Sequence, residues 1–140
     1  MIKSILDNSE NYQPGLSIDC VIFGFHDNQL KVLLIKVPHN EQWSLPGGFI
    51  PINEDIDTAA VTVLNERTGV EGVFLRQFST FGKIKRNENH FDNDLLEYLN
   101  INPEQGKWLT RRFVTIGYYA LVDFSKILPN PINPHEIGEW

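Results

Sequence analysis

The stretch that most constrains this chain runs from Leu45 to Val70, LPGGFIPINEDIDTAAVTVLNERTGV. It opens on the pair Gly47-Gly48, where the backbone has room to turn sharply and to let another group approach. From Asp55 the pattern becomes helical: Ile56, Ala59, Ala60, Val63 and Leu64 recur at the spacing of one buried stripe. Glu54, Asp55 and Asp57 place negative charge at the positive end of the helix dipole. Gly69 follows the last periodic residues and is the expected stop, so the spacing predicts a helix over 55–68.

This stretch resembles the signature of the Nudix family, whose members mostly hydrolyse nucleoside diphosphates linked to another group. Gly48, Glu54, Leu64, Glu66, Gly69 and Val70 fit the signature, and the approach Trp43-Ser44-Leu45-Pro46-Gly47-Gly48-Phe49 is similar to the family's. The resemblance implies an α/β fold, the Nudix fold, with a mixed β-sheet sandwiched between α-helices. Three positions depart from the pattern. Thr62 stands where an arginine is expected, and Val63 and Arg67 stand where glutamates are expected.

These departures bear on chemistry. Positions 63, 66 and 67 lie three and four apart, so their side chains share one helix face. In the family that face carries the carboxylates that hold magnesium, an ion that takes oxygen ligands and is gripped by carboxylates and phosphate together. Here Glu66 remains, with Glu54 as a helper. If the chain is active, these two are the catalytic and metal-binding residues and magnesium is the cofactor; otherwise no cofactor is implied. Val63 reads as core. Arg67 reads either as a solvated helix-end residue or as a phosphate contact, for which a guanidinium is well suited.

With 140 residues the chain is long enough for one domain with its own core. A net charge of −6 argues against a nucleic-acid footprint over the whole domain. The single cysteine, Cys20, lies in an apolar run and reads as core; it excludes an internal disulfide, and a reducing cytoplasm fits. There is no long apolar segment to cross a membrane.

Residues 1–16 read as an N-terminal lead, with Met1 to Leu6 either a short helix or disordered, and Pro14-Gly15 as a break. Ser17 to Phe25 and Leu30 to Val37 read as two strands of a hairpin turning at 26–28. Pro38 to Gln42 reads as a loop. Val73 to Phe81 reads as a further strand, marked by Phe74, Phe78 and Phe81. The segment 85–110 reads as an irregular insert, with a polar loop at 86–94, a short amphipathic helix around Asp92 to Leu99, and breaks at Asn102-Pro103 and Gly106. Both a ligand-facing lid and a tolerated surface insertion fit it. Arg112 to Phe124, apolar on both faces, reads as a central strand. A proline-containing loop follows Asp123. The chain stops at Trp140, where a Nudix domain usually adds a final strand and a C-terminal helix, so that end is expected to be cut short.

IDCVIFGF, LKVLLIKV, WSLPGGFI, Phe81-Gly82 and RRFVTIGYYALVDF together resemble one Nudix branch, the Nudix-related transcriptional regulators of NAD metabolism and arabinose use. In that branch a Nudix domain senses a small ligand and a winged helix binds DNA. The resemblance implies a non-hydrolytic sensor of a nucleotide-sugar or phosphorylated sugar, a homodimer among its partners, and DNA contact only through a domain outside these residues. It places an arginine near the ligand before the long strand, matching Arg111 or Arg112, with a charged strand end as the plain alternative. Arg67, Arg111 and Arg112 are thus the candidate phosphate contacts, Trp43 and Phe81 the candidate stacking surfaces with aromatic core as their plain alternative, and Gly47 and Gly48 the close-approach backbone. A Nudix hydrolase with an unusual metal site is the competing expectation.

Overall fold

The computed structural model describes residues 2–36, 42–85, 93–123 and 137–140. Most of the loop read at 38–42, most of the polar loop at 86–94 and the proline-containing run after Asp123 lie outside the described residues. The order is α1 (Ile2–Asp7), β1 (Tyr12–His26), β2 (Gln29–Val32), β3 (Leu34–Lys36), β4 (Gly47–Pro51), α2 (Ile56–Thr68), β5 (Arg76–Phe81), α3 (Asn93–Tyr98), α4 (Pro103–Thr110), β6 (Val114–Val122) and β7 (Ile137–Glu139).

β1 is the hub of a mixed sheet. β6 runs parallel along one side of it, from Leu16↔Val114 to Gly24↔Val122, and β5 pairs antiparallel with the far edge of β6. On the other side of β1, β4 pairs with the first half and β2 with the second, both antiparallel. Register puts Ile18, Cys20 and Ile22 on the same face as Ile116, Tyr118 and Ala120. That face packs on α2 through Ala59, Ala60 and Leu64 to form the main core. Burial holds the Cys20 thiol up at about 12, so it stays protonated, and its Sγ lies 3.9 Å from the Ala60 carbonyl it faces. The Tyr118 hydroxyl donates to Asp57 in the first turn of α2, tying helix to sheet. Burial and that neighbouring carboxylate both hold the Tyr118 hydroxyl in its neutral form.

α2 follows its predicted span to within a residue. Its buried side runs Ala59, Ala60, Val63, Leu64 and Thr68, while Ile56, expected in the stripe, is 39% exposed at the first position of the helix. Gly69 closes the helix at φ +73°, its N–H donating to Asn65 O. A side chain is strained there, so Gly69→Ala is expected to cost about 1 kcal/mol. Urea unfolding measures this, and an unchanged midpoint contradicts it.

Other expectations need correction. The Pro14-Gly15 break lies inside β1, which begins at Tyr12: between Tyr12↔Pro51 and Ser17↔Phe49 the register shifts, and Gly15 takes φ +75°. An irregularity of this kind tolerates both residues without ending a strand. The second strand splits at Leu33, whose N–H donates to Ile22 O before β3 leaves to pair with β7. A short strand at 137–139, which the sequence reading did not mark, pairs with β3. β5 starts at Arg76 rather than Val73. Gly47 and Gly48 form strand β4 with φ outside the positive range, so close approach explains them and a tight turn does not. A Cβ on Gly48 would sit 3.0 Å from Val63 Cγ2, and one on Gly47 would meet Ile18 O at 2.9 Å and the Asp19 carboxylate.

The segment 85–110 differs most from its reading. α3 falls where expected, but Asn102-Pro103 starts a helix instead of breaking one. Asn102 Oδ1 accepts from Gln105 N at 2.8 Å, Gln105 Oε1 accepts from Asn102 N at 3.2 Å, and Pro103 takes the first helical position, where it has no N–H to lose. Trp108 and Leu109 of α4 are buried with Leu6 and Phe113 in a second core, against Phe49. Phe49 pairs with Ser17, on the sheet face away from α2. Helices therefore cover both faces of the sheet. Beyond α4 that outer face is open: Tyr119 and Leu121 of β6 are exposed, so the strand is central by pairing but not buried on both sides.

Candidate ligand-binding site

Two concavities lie near the paired residues Gly47 and Asp19, one lined by Gly47 and the other by Asp19. The first lies along α2. Thr62, Val63, Glu66 and Arg67 form one wall, and Gly47 and Gly48 of β4 form the other. Glu54, in the turn between these elements, closes one side, and Ile5 and Tyr12 close another. It encloses about 90 Å³, space for several waters or one phosphate group and too little for a nucleoside. Val63 is 5% exposed and packs under Gly48, as the core reading expects. Arg67 is half-buried and Glu66 exposed. Glu54 Oε2 is buried without a hydrogen-bond partner, which marks it as an acceptor that a bound group would satisfy.

The second concavity, of about 240 Å³, lies on the outer face of the sheet between Asp19, Val21, Leu45, Phe78, Phe81 and Gly117. The Phe78 and Phe81 rings are 6.0 Å apart at 68°, and Phe78 also meets Tyr119 edge-on. They close over Gly117, where a Cβ would sit 2.8 Å from Phe78 Cε1. A glycine in the middle of a central strand signals such an approach, and that signal could have pointed to this groove from the sequence.

The expected site residues are only partly brought together. Gly47, Gly48, Glu54, Glu66 and Arg67 share the helix-side pocket, and Phe81 lies in the aromatic groove. Arg111 and Arg112 line neither. They precede β6 at the end of the sheet beside Gly15, and Arg112 Nη2 donates to Gly82 O at 2.5 Å, just past the end of β5. Trp43 also lies outside both concavities, with Lys36 Nζ over its ring at 5.8 Å. Ile5, Tyr12, Asp19, Phe78 and Gly117 were not among the expected site residues. Ile5 and Tyr12 fall in the stretch read as a mere lead.

The donor set fits magnesium poorly. Glu54 and Glu66 supply carboxylates, but the third helix position is the buried Val63 and the fourth is a cation. Among the described residues no three side chains of metal-ligand type come together. No helix of the described residues is long and apolar enough to cross a membrane.

A twisted mixed sheet between helices, with a glycine-flanked helix beside a phosphate-sized pocket, is the Nudix arrangement, and the chain belongs to that family: residues 13–140 match the NUDIX domain. Within the family it is similar to the ADPR responsive transcriptional repressor NtrR of Acinetobacter baylyi, at 28% identity over 137 residues. That match covers 94% of this chain and 46% of the repressor, so the chain spans about half the length of this curated relative. Among solved structures it is similar to the NUDIX domain of Shewanella oneidensis NrtR complexed with ADP ribose, with TM-score 0.63 and 25% identity over 99% of this chain and 80% of that one. It is also similar to Shewanella oneidensis NrtR complexed with a 27mer DNA, with TM-score 0.58 and 27% identity over 88% of this chain and 49% of that one.

Proposed function

We propose that this Nudix domain binds a nucleotide-sugar of the ADP-ribose type without hydrolysing it, as the ligand-sensing module of a cytoplasmic transcriptional regulator. The observation that carries the reading is the helix wall of the pocket, where Val63 and Arg67 stand in place of carboxylates. Similarity to repressors that respond to or bind ADP-ribose supports it. One phosphate of the ligand's diphosphate lies in the small pocket against Arg67, whose guanidinium can bond phosphate oxygens in pairs. The base, too large for that pocket, lies across the Gly47–Asp19 pair in the Phe78–Phe81 groove, where its faces meet aromatic rings. DNA contact belongs to a part of the regulator outside the Nudix domain.

One observation favours a second reading, a hydrolase. Glu54 and Glu66 line the same pocket, and Glu54 Oε2 has an unused acceptor. Two carboxylates plus the substrate's own phosphates suffice for some magnesium sites. Isothermal titration of ADP-ribose into the protein in EDTA, and again in magnesium, separates the two. The sensor reading expects equal affinity in both and an intact ligand. Binding that disappears in EDTA, with AMP released in magnesium, selects the hydrolase.

A further inference from the structure

The N-terminal segment was read as a lead, yet it supplies one side of the phosphate-sized pocket. α1 turns two adjacent buried residues in different directions. Leu6 enters the second core with Trp108, Leu109 and Phe113, while Ile5 reaches the pocket. Tyr12, at the start of β1, reaches the same pocket and pairs with Pro51, another of its lining residues. The segment is fastened at both ends. At one end Lys3 Nζ donates to Gln105 Oε1 at 2.9 Å and bridges Asp7 at 3.1 Å, while Gln105 Nε2 donates to Asp7 Oδ1 at 2.7 Å. These bonds hold the Asp7 carboxyl below its usual range. At the other end Ile52 N donates to Asn11 O at 2.9 Å.

We propose that Ile5 and Tyr12 are specificity-determining residues of the ligand pocket: docking of α1 on α4 brings them over it, limits it to a phosphate group, and is coupled to its occupancy. This rests on the sensor reading above. The physical reason is the pairing of an apolar cap with a charged wall. Ile5 faces the same space as Glu54, Glu66 and Arg67, and covering that space keeps water from competing for the guanidinium, so a phosphate held there is held more strongly. Conversely, a phosphate in the pocket gives the cap a filled surface to pack on, which stabilises the docked α1. Binding and docking must strengthen each other equally.

The test uses the full chain with inorganic pyrophosphate and ADP-ribose as separate probes. Ile5→Ala opens the cap from inside; Asp7→Ala loosens the clasp from outside without touching the pocket. Each is expected to weaken both probes, Ile5→Ala by about tenfold through restored solvent screening, with melting temperatures recorded to show that both variants are folded. Pyrophosphate is also expected to slow amide hydrogen exchange across residues 2–8 in the unmodified protein. Unchanged affinities in folded variants, with unchanged exchange in α1, overturn the cap and leave the sensor reading standing. Failure of the unmodified protein to bind either probe overturns both.

Discussion

Trp108→Ala is expected to destabilise the domain by about 3–5 kcal/mol, the range for truncating a large aromatic residue in a packed core. Trp108 is 9% exposed and meets Phe49 at 5.2 Å and Phe113 at 5.8 Å, both edge-on, while Phe49 and Phe113 are 5.6 Å apart. Removing the indole takes one corner from that trio and uncovers Leu6, so α1 loses its anchor as well. The neighbouring Lys107, on the exposed side of the same helix, is the control: Lys107→Ala should change stability by no more than about 0.5 kcal/mol. Urea unfolding of the two variants decides the matter. A Trp108→Ala loss under 1 kcal/mol would return the second half of 85–110 to the status of a surface insertion.

Magnesium-dependent cleavage of ADP-ribose and nucleoside diphosphate sugars is expected to be negligible. A bound metal contributes several kcal/mol of transition-state charge stabilisation and activates the attacking water, so weakening its site costs on the order of 10³-fold in rate or more. The structure explains why one substitution cannot restore the site. Val63 is 5% exposed and packs beneath Gly48, so a glutamate there would have to break that packing to reach the pocket, and Arg67 would still hold the neighbouring position. Val63→Glu would bury a charge beside an aliphatic core, at a cost of several kcal/mol unless it were paired. Release of AMP or sugar phosphate at rates ordinary for a Nudix hydrolase, from purified protein with magnesium, would contradict this expectation.

The parts of this fold that were legible from the sequence are those whose signal is local and periodic. The stripe of α2, its Gly69 stop and the apolar runs of β1 and β6 each carry their reason within a few residues. The misread parts depend on partners distant in the chain. Asn102, Pro103 and Gln105 spell a capping box, yet Gly106 beside them suggested a break; Gly106 is tolerated because it is buried close to Leu96. Arg111 and Arg112 fit either a ligand contact or a charged strand end from the sequence, and only the fold shows that Arg112 Nη2 donates to the Gly82 carbonyl. Ile5 and Tyr12 carry no chemical signature, and nothing in 1–16 announces that α4 will dock that segment beside the pocket. Gly47 and Gly48 were correctly expected to admit a close neighbour. For Gly48 that neighbour is Val63, one of the residues that departs from the family's signature.

On the proposed reading a guanidinium stands in for the metal. Its most direct test is titration calorimetry of ADP-ribose in EDTA, comparing the unmodified protein with Arg67→Ala and Arg67→Glu. On that reading Arg67 would contribute charge-assisted phosphate bonds of roughly 1.5–3 kcal/mol, so Arg67→Ala should weaken binding by about tenfold to a hundredfold. Arg67→Glu, which places a carboxylate opposite the phosphate, should abolish it, and binding by the unmodified protein should weaken as salt rises. Unchanged affinity in Arg67→Ala, or binding by the unmodified protein that vanishes on chelating metal, would contradict the exchange of arginine for magnesium.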